Sequence, residues 1–254
     1  MGLERGSGRC SMRRRPETKT AKDVQAMSLF TIGDPHLSFG CDKPMDIFRG
    51  WENYVDRLQE NWNSTISSGD TAVIVGDISW AMTMEEAKPD FEFLHRLNGT
   101  KILLKGNHDY WFGTKSKVEQ FLEDQGFDSI KVLFNNAFPY GNHAICGTRG
   151  WVNEQGGGTD KKVIQREAGR LRLSLEAGKA MEKQPIAFLH YPPVYYVNEC
   201  REILDVLKEY GVKKCYYGHI HGGGFQYAID GVYDGIDFRL VSCDYTQFRP
   251  VKVL

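Results

Sequence analysis

The sequence predicts an α/β fold, one domain of two sheets with helices outside, and three observations carry that prediction. From Met27 onward short apolar runs recur, each run ends in a turn holding Asp, His, Asn or Gly, and a stretch with helical periodicity commonly follows. Strand–loop–helix units in succession place parallel strands side by side, joined by helical crossovers.

The elements follow in order. Leu29–Ile32 is a strand ending in Gly33-Asp34-Pro35-His36. Phe48, Trp51, Tyr54, Val55, Leu58, Trp62 and Ile66 then keep the helical period. Thr71–Val75 is a buried strand running into Gly76-Asp77, and Thr83 with Glu86 has the spacing of a capping box. That box opens a helix carrying Phe91, Leu94 and Leu97 on one side. Lys101–Leu104 is a third strand and leads into Gly106-Asn107-His108-Asp109. In the second half Ser129–Phe134 and His143–Cys146 read as strands, and Asp160–Met181 as a long helix weakened by Gly169 and Gly178. Pro185–Leu189 is a strand ahead of His190-Tyr191-Pro192-Pro193, and Glu199–Tyr210 is a helix stopped at Gly211. Lys214–Tyr217 runs into Gly218-His219-Ile220-His221. Phe225–Ile229, Gly231–Tyr233 and Ile236–Val241 read as an antiparallel meander divided by Asp-Gly turns.

Length and charge bound the function. A chain of 254 residues fits one α/β domain, or at most two small ones, and can bury a core without staples. No apolar run approaches the ~18 residues of a membrane span. The six cysteines (Cys10, Cys41, Cys146, Cys200, Cys215 and Cys243) form no C-x-x-C pair, which predicts reduced thiols and a cytoplasmic setting. Residues 1–26 hold seven Lys/Arg against three Asp/Glu, so their charge is +4 and the net −1 leaves −5 on residues 27–254. An acidic body tracks nucleic-acid phosphates poorly, so a small-molecule substrate is expected ahead of nucleic acid. Residues 1–26 lack periodicity and the apolar stretch of a secretory signal, and are expected to be a disordered tail ahead of a folded domain over 27–254. Met27, immediately before the first strand, is a candidate start.

The chemistry lies in position. Asp34, His36, Asp77, Asn107, His108, His190, His219 and His221 all sit directly after expected strands. In an open α/β sheet the crevice beyond the strands' carboxyl ends is where ligands bind, so these residues would converge on one rim. Carboxylate, imidazole and amide oxygen form a mixed N/O donor set without thiolate, suited to Mn, Fe or Zn. Asp-x-His and His-x-His place two side chains on one face of an extended segment. Seven such residues are too many for one zinc and suit two metals roughly 3.5–4 Å apart, bridged by a carboxylate and activating a water. Taken singly, Gly-Asp and Asp-Pro are ordinary turn dipeptides; the joint occurrence in order outweighs that reading.

The series Asp34-x-His36, Gly76-Asp77, Gly106-Asn107-His108-Asp109, His190 and Gly218-His219-x-His221 resembles the calcineurin-like metallophosphoesterases. The resemblance spans residues 32 to 221. It implies a four-layer αββα sandwich, two mixed sheets with helices outside and a binuclear centre between the sheets. It further implies that Asp34, His36 and His221 hold one metal, that Asn107, His190 and His219 hold the other, and that Asp77 bridges them. His108 would be the general acid, oriented by Asp109. The Gly76-Asp77-Ile78-Ser79-Trp80 and Asn-His-Asp forms depart from the family's Ser/Thr protein phosphatases and look more like its phosphodiesterases and small-molecule phosphohydrolases. Arg149, in Gly147-Thr148-Arg149-Gly150-Trp151, is a candidate substitute phosphate clamp. Tyr110 and Trp111 belong to a set of aromatics in these turns that could stack a nucleotide-like substrate. Two rival classes remain: a metal-dependent nuclease, which needs a basic groove, and a non-catalytic scaffold of the same fold, which tends to lose ligands that are all present here.

Overall fold

The structure is a computed structural model that describes residues 1–2, 27–151 and 161–254. Met1 and Gly2 apart, the tail expected over 1–26 lies outside the described residues, as does the Asp160 start expected for the long helix.

The first sheet contains β1 (Leu29–Ile32), β2 (Thr71–Ile74), β3 (Thr100–Leu104), β4 (Ile130–Leu133) and β13 (Val251–Lys252), in the order β13-β1-β2-β3-β4. β1 to β4 run parallel, and β13 closes the edge antiparallel to β1. Helices α1 (Tyr54–Thr65), α2 (Met84–Arg96) and α3 (Lys115–Asp124) connect them. The second sheet contains β5 (Ala137–Tyr140), β6 (His143–Thr148), β7 (Gln184–Leu189), β10 (Lys214–Tyr217), β11 (Gly231–Tyr233) and β12 (Ile236–Leu240), ordered β11-β12-β10-β7-β6-β5. Its four inner strands are parallel; β5 and β11 are antiparallel edges. Helices α4 (Lys161–Ala180) and α5 (Arg201–Glu209) cover its outer face, and β8 (Val194–Tyr195) pairs with β9 (Asn198–Glu199) in a small ribbon.

Strand alternation makes the layers. In β2, Ala72 and Ile74 pack with the helices, while Val73, and Val75 just beyond, face the other sheet. In β7, Ala187 and Leu189 meet α4 and α5, while Ile186 and Phe188 join Val73, Ile102 and Leu104 between the sheets. Strands apolar on both faces need two covers, and the result is helix, sheet, sheet, helix. This is the expected four-layer sandwich.

Several local expectations are corrected. The helix expected from Phe48 begins only at Tyr54, because Gly50 at φ 91° and Asn53 at φ 51° turn the chain out of the right-handed region. Phe48 and Trp51 are therefore loop residues. The Thr83 hydroxyl caps α2 by accepting from Glu86 N–H at 3.2 Å, but Glu86 reaches back to Met82 N–H at 2.8 Å rather than to Thr83 itself. Phe225 to Tyr227 are not strand: Gly222–Tyr227 is a short 3₁₀ helix, entered through Gly222 at φ 51°. Nor is the end of the chain a full meander, since β12 pairs parallel with β10 and only β11–β12 is a hairpin.

The two sheets are tied where their strands end. Gly33 bridges to Ser242 in parallel register, with Gly33 N–H to Val241 O at 2.7 Å and Cys243 N–H to Gly33 O at 2.9 Å. The turns after β1 and β12 thus meet, and the candidate residues meet with them.

Candidate metal centre

All seven candidate ligands converge. Side-chain donor atoms of Asp34, His36 and His221 lie within 4.8 Å of one another, and so do those of Asp77, His190 and His219. Asp77 faces both groups: its Oδ1 is 3.5 Å from His190 Nε2 and its Oδ2 is 3.8 Å from His36 Nε2. Asn107 Oδ1 lies 2.6 Å from His190 Nε2.

The backbone is bent to allow this. Asp34, His36, Asp77 and His219 all have positive φ, 57°, 46°, 47° and 71°. A non-glycine residue there carries strain of order 1 kcal/mol, which persists where surrounding structure enforces it. The enforcement is visible: Asp34 N–H donates to Gly76 O and His36 N–H to Asp77 O, both at 3.0 Å. A Cβ on Gly106 would overlap the Asp77 carboxylate, so glycine is needed for close approach rather than for a turn.

The ring nitrogens are already committed in a way that suits a cation. His190 Nδ1 sits 3.0 Å from Val75 O, and His221 Nδ1 sits 2.8 Å from Asp244 Oδ1. Each Nδ1 donates to its acceptor, so the neutral His190 ring presents an Nε2 lone pair, and His221 presents one when a cation displaces its second proton. His190 Nε2 then points its lone pair at another acceptor, Asn107 Oδ1, and His221 Nε2 points at His36 Nε2 at 3.4 Å. Asp34 Oδ1, though fully buried, accepts no hydrogen bond from the described residues. Burial pushes the Asp34 carboxyl up to about 7, against the pull of His221 and with repulsion from Asp77. Burial likewise holds His36, His190 and His219 down to about 3, so their rings are neutral and able to ligate. Converging lone pairs and an unpaired buried carboxylate oxygen are what two cations would satisfy.

His108 lies beside this group. Its N–H donates to Asp77 Oδ1 at 2.8 Å, and its ring packs 4.4 Å from Trp80. The expected orientation of His108 by Asp109 is corrected. The buried Asp109 carboxylate accepts from the N–H groups of Gly106 (2.7 Å), Ile78 (2.8 Å) and Ser79 (3.2 Å) and from the Trp111 indole (3.0 Å). Among the described residues, His108 Nδ1 has no hydrogen-bond partner. Asp109 therefore fastens the second motif loop to the third.

Of the expected substrate contacts, Tyr110 is exposed at the rim, 6.1 Å from the His108 ring. Trp111 is core, packed edge-on to Phe91 at 5.0 Å, because its indole is tied to Asp109. Arg149 is turned to Glu167 at 3.4 Å and stacks over Trp151. A cleft of about 420 Å³ opens over the centre, walled by Met45, Phe48, Trp51 and Trp80, with Arg49 and Asp244 at its edge. Trp80 stacks on His36 at 4.9 Å. Asp244, Arg49 and Trp51 were not singled out from the sequence. Asp244 follows the last long strand as the other candidates follow theirs, and that position was the available signal.

The calcineurin-like phosphoesterase family model matches residues 27–223. An uncharacterised protein of Methanocaldococcus jannaschii is 30% identical over 98 residues, 37% of this chain and 52% of its own length, so the chain spans about half of that relative. Among solved structures, the phosphopantetheinyl hydrolase of Mycobacterium tuberculosis superposes with a TM-score of 0.53 at 15% identity, covering 91% of this chain and 97% of its own. A protein of unknown function from Aquifex aeolicus superposes with a TM-score of 0.50 at 14% identity, covering 89% and 95%. At these identities the likeness is one of fold.

Proposed function

The chain belongs to the calcineurin-like phosphoesterases, a family of metal-dependent phosphoester hydrolases, and we propose that it cleaves a small-molecule phosphomonoester or phosphodiester at a two-cation centre. The observation that supports this most is the pair of three-residue donor groups with one Asp77 oxygen turned to each. In this reading Asp34, His36 and His221 hold one cation, Asn107, His190 and His219 the other, and Asp77 lies between. The donor set favours Mn, Fe or Zn. Bound there, the cations supply Lewis-acid stabilisation of phosphoryl oxygens and a water acidic enough to attack near neutral pH.

The protein's own groups do the rest. His190 and His221 keep their Nε2 lone pairs inward because Val75 O and Asp244 hold the opposite nitrogens. His108, outside both donor groups, gives its proton to the departing ester oxygen, a role worth typically ~10²–10⁴-fold. Trp80 and the Asp77 hydrogen bond hold that residue in place. The ester group lies in the cleft along Met45, Phe48, Trp51 and Trp80. An aromatic wall with one arginine at its edge supports a flat, nucleotide-like ester group.

The test is a screen of the metal-reconstituted protein against aryl phosphate, bis-aryl phosphate and a nucleotide panel. Hydrolysis that depends on metal and falls in Asp77→Asn supports the proposal. No hydrolysis of any substrate with two metals bound would refute it.

A further inference from the structure

We propose that a second cavity, between the loop after β3 and helix α4, is a separate binding site for a phosphate-type dianion. The cavity holds about 210 Å³ and is lined by Lys105, Arg149, Arg166, Arg170, Glu167 and Thr148, among others. None of the seven candidate metal ligands lines it. Among the described lining residues, four cations face one carboxylate, a net of +3, in a body whose charge is −5 over residues 27–254.

Glu167 cannot account for that accumulation. Its carboxylate is fully buried, and Oε1 alone receives Arg170 Nη1 at 2.6 Å, Arg149 Nη2 at 3.4 Å and Arg166 Nε at 3.7 Å. Oε2 is taken by the Thr148 hydroxyl at 3.0 Å. The Thr148 hydroxyl already fastens β6 to α4 through that carboxylate, and Arg170, on α4 itself, neutralises it with a short ion pair one turn away. Of the three guanidiniums, that of Arg149 keeps a buried Nε with no partner among the described residues. Aromatic faces hold two of them in position, Trp151 under Arg149 at 5.1 Å and Phe134 under Arg170 at 5.0 Å. The Phe112 carbonyl holds Lys105 Nζ at 2.8 Å. Guanidinium forks fixed around a cavity, with an ammonium beside them, match the several oxygens and double charge of a phosphate group better than a lone carboxylate.

The cavity also shares backbone with the centre. Arg149 O accepts the N–H groups of His190 at 3.1 Å and Tyr191 at 2.8 Å, and Lys105 directly precedes the Gly106-Asn107 turn. The dianion has two possible sources with the same chemistry, free phosphate or a second phosphate on the substrate.

Calorimetry with inorganic phosphate on the metal-loaded protein is the test, comparing wild type with Arg166→Glu, whose side chain is 53% exposed and dispensable for packing. The variant should keep its metal content and turnover of aryl phosphate. It should lose one phosphate site, or bind there at least roughly tenfold more weakly, as expected for losing a hydrogen bond to a charged group. The steady-state arm compares adenosine 5′-monophosphate with adenosine 3′,5′-bisphosphate. A KM rise confined to the bisphosphate makes the source the substrate; unchanged KM values with the phosphate site lost make it the free ion. Unaltered phosphate binding together with unaltered KM values for both nucleotides would overturn the proposal. The calorimetric result needs no turnover, so it stands or falls apart from the hydrolase reading.

Discussion

Asp244→Ala removes the acceptor that fixes His221. Asp244 Oδ1 sits 2.8 Å from His221 Nδ1, and Oδ2 accepts Gly222 N–H at 3.2 Å, with the Asp244 side chain 10% exposed. Burial alone would hold the His221 ring neutral, but the Asp244 hydrogen bond and the Asp34 charge more than offset it and raise its pKa. Losing one hydrogen bond to a charged group forfeits about 1.5–3 kcal/mol. If that loss falls on the cation held by Asp34, His36 and His221, its affinity drops by roughly 10–100-fold, the usual cost of removing a ligand's outer partner. The other cation, whose His190 is oriented by Val75 O, should be unaffected. The assay is metal content after dialysis against buffered Mn²⁺, alongside the metal dependence of hydrolysis. Wild type should hold two metals where the variant holds one, and the variant's activation curve should move to higher metal. Asp244→Asn, which keeps an acceptor without the charge, should fall between. Equal content and superimposable activation curves for Asp244→Ala would refute the assignment of Asp244 as a positioning residue for His221.

His108→Ala should lower kcat by ~10²–10⁴-fold on substrates with poor leaving groups while keeping two metals, read by steady-state kinetics and elemental analysis. Asp109→Ala should instead lower metal occupancy and thermal stability together, because it releases the N–H groups of Gly106, Ile78 and Ser79; normal occupancy with only kcat reduced would restore the orienting role first expected for it. Gly106→Ala should leave secondary structure intact by circular dichroism yet bind less metal, because the new methyl displaces the Asp77 carboxylate.

The sequence made the frame legible because the frame obeys simple periods. β1, β2, β3 and β10 are runs that end in glycine turns, β7 runs into His190-Tyr191-Pro192-Pro193, and each carries a candidate ligand just past its end. The edge strands were harder. β5 contains Pro139 and β13 is two residues long, so neither shows an alternation of useful length. The start of α1 was misread because the apolar period runs back through Gly50, and only the backbone conformation there breaks it. In the site, ligand-type residues announced themselves by type and place. What their side chains touch did not: Asp109 and Trp111 are two residues apart and bond to each other, which withdraws both from the cleft. Asp244 lies 23 residues beyond His221, and the parallel pairing of β12 with β10, with the tie between Gly33 and Ser242, brings the end of β12 to the centre.

In the proposed reaction two cations, both needed, run a phosphoester hydrolysis. Titrating metal-free protein with Mn²⁺ while following bound metal and bis-aryl or aryl phosphate hydrolysis tests it directly. Activity should saturate only as occupancy reaches two per chain. Saturation of activity at one metal per chain, or two bound metals with no hydrolysis, would contradict it.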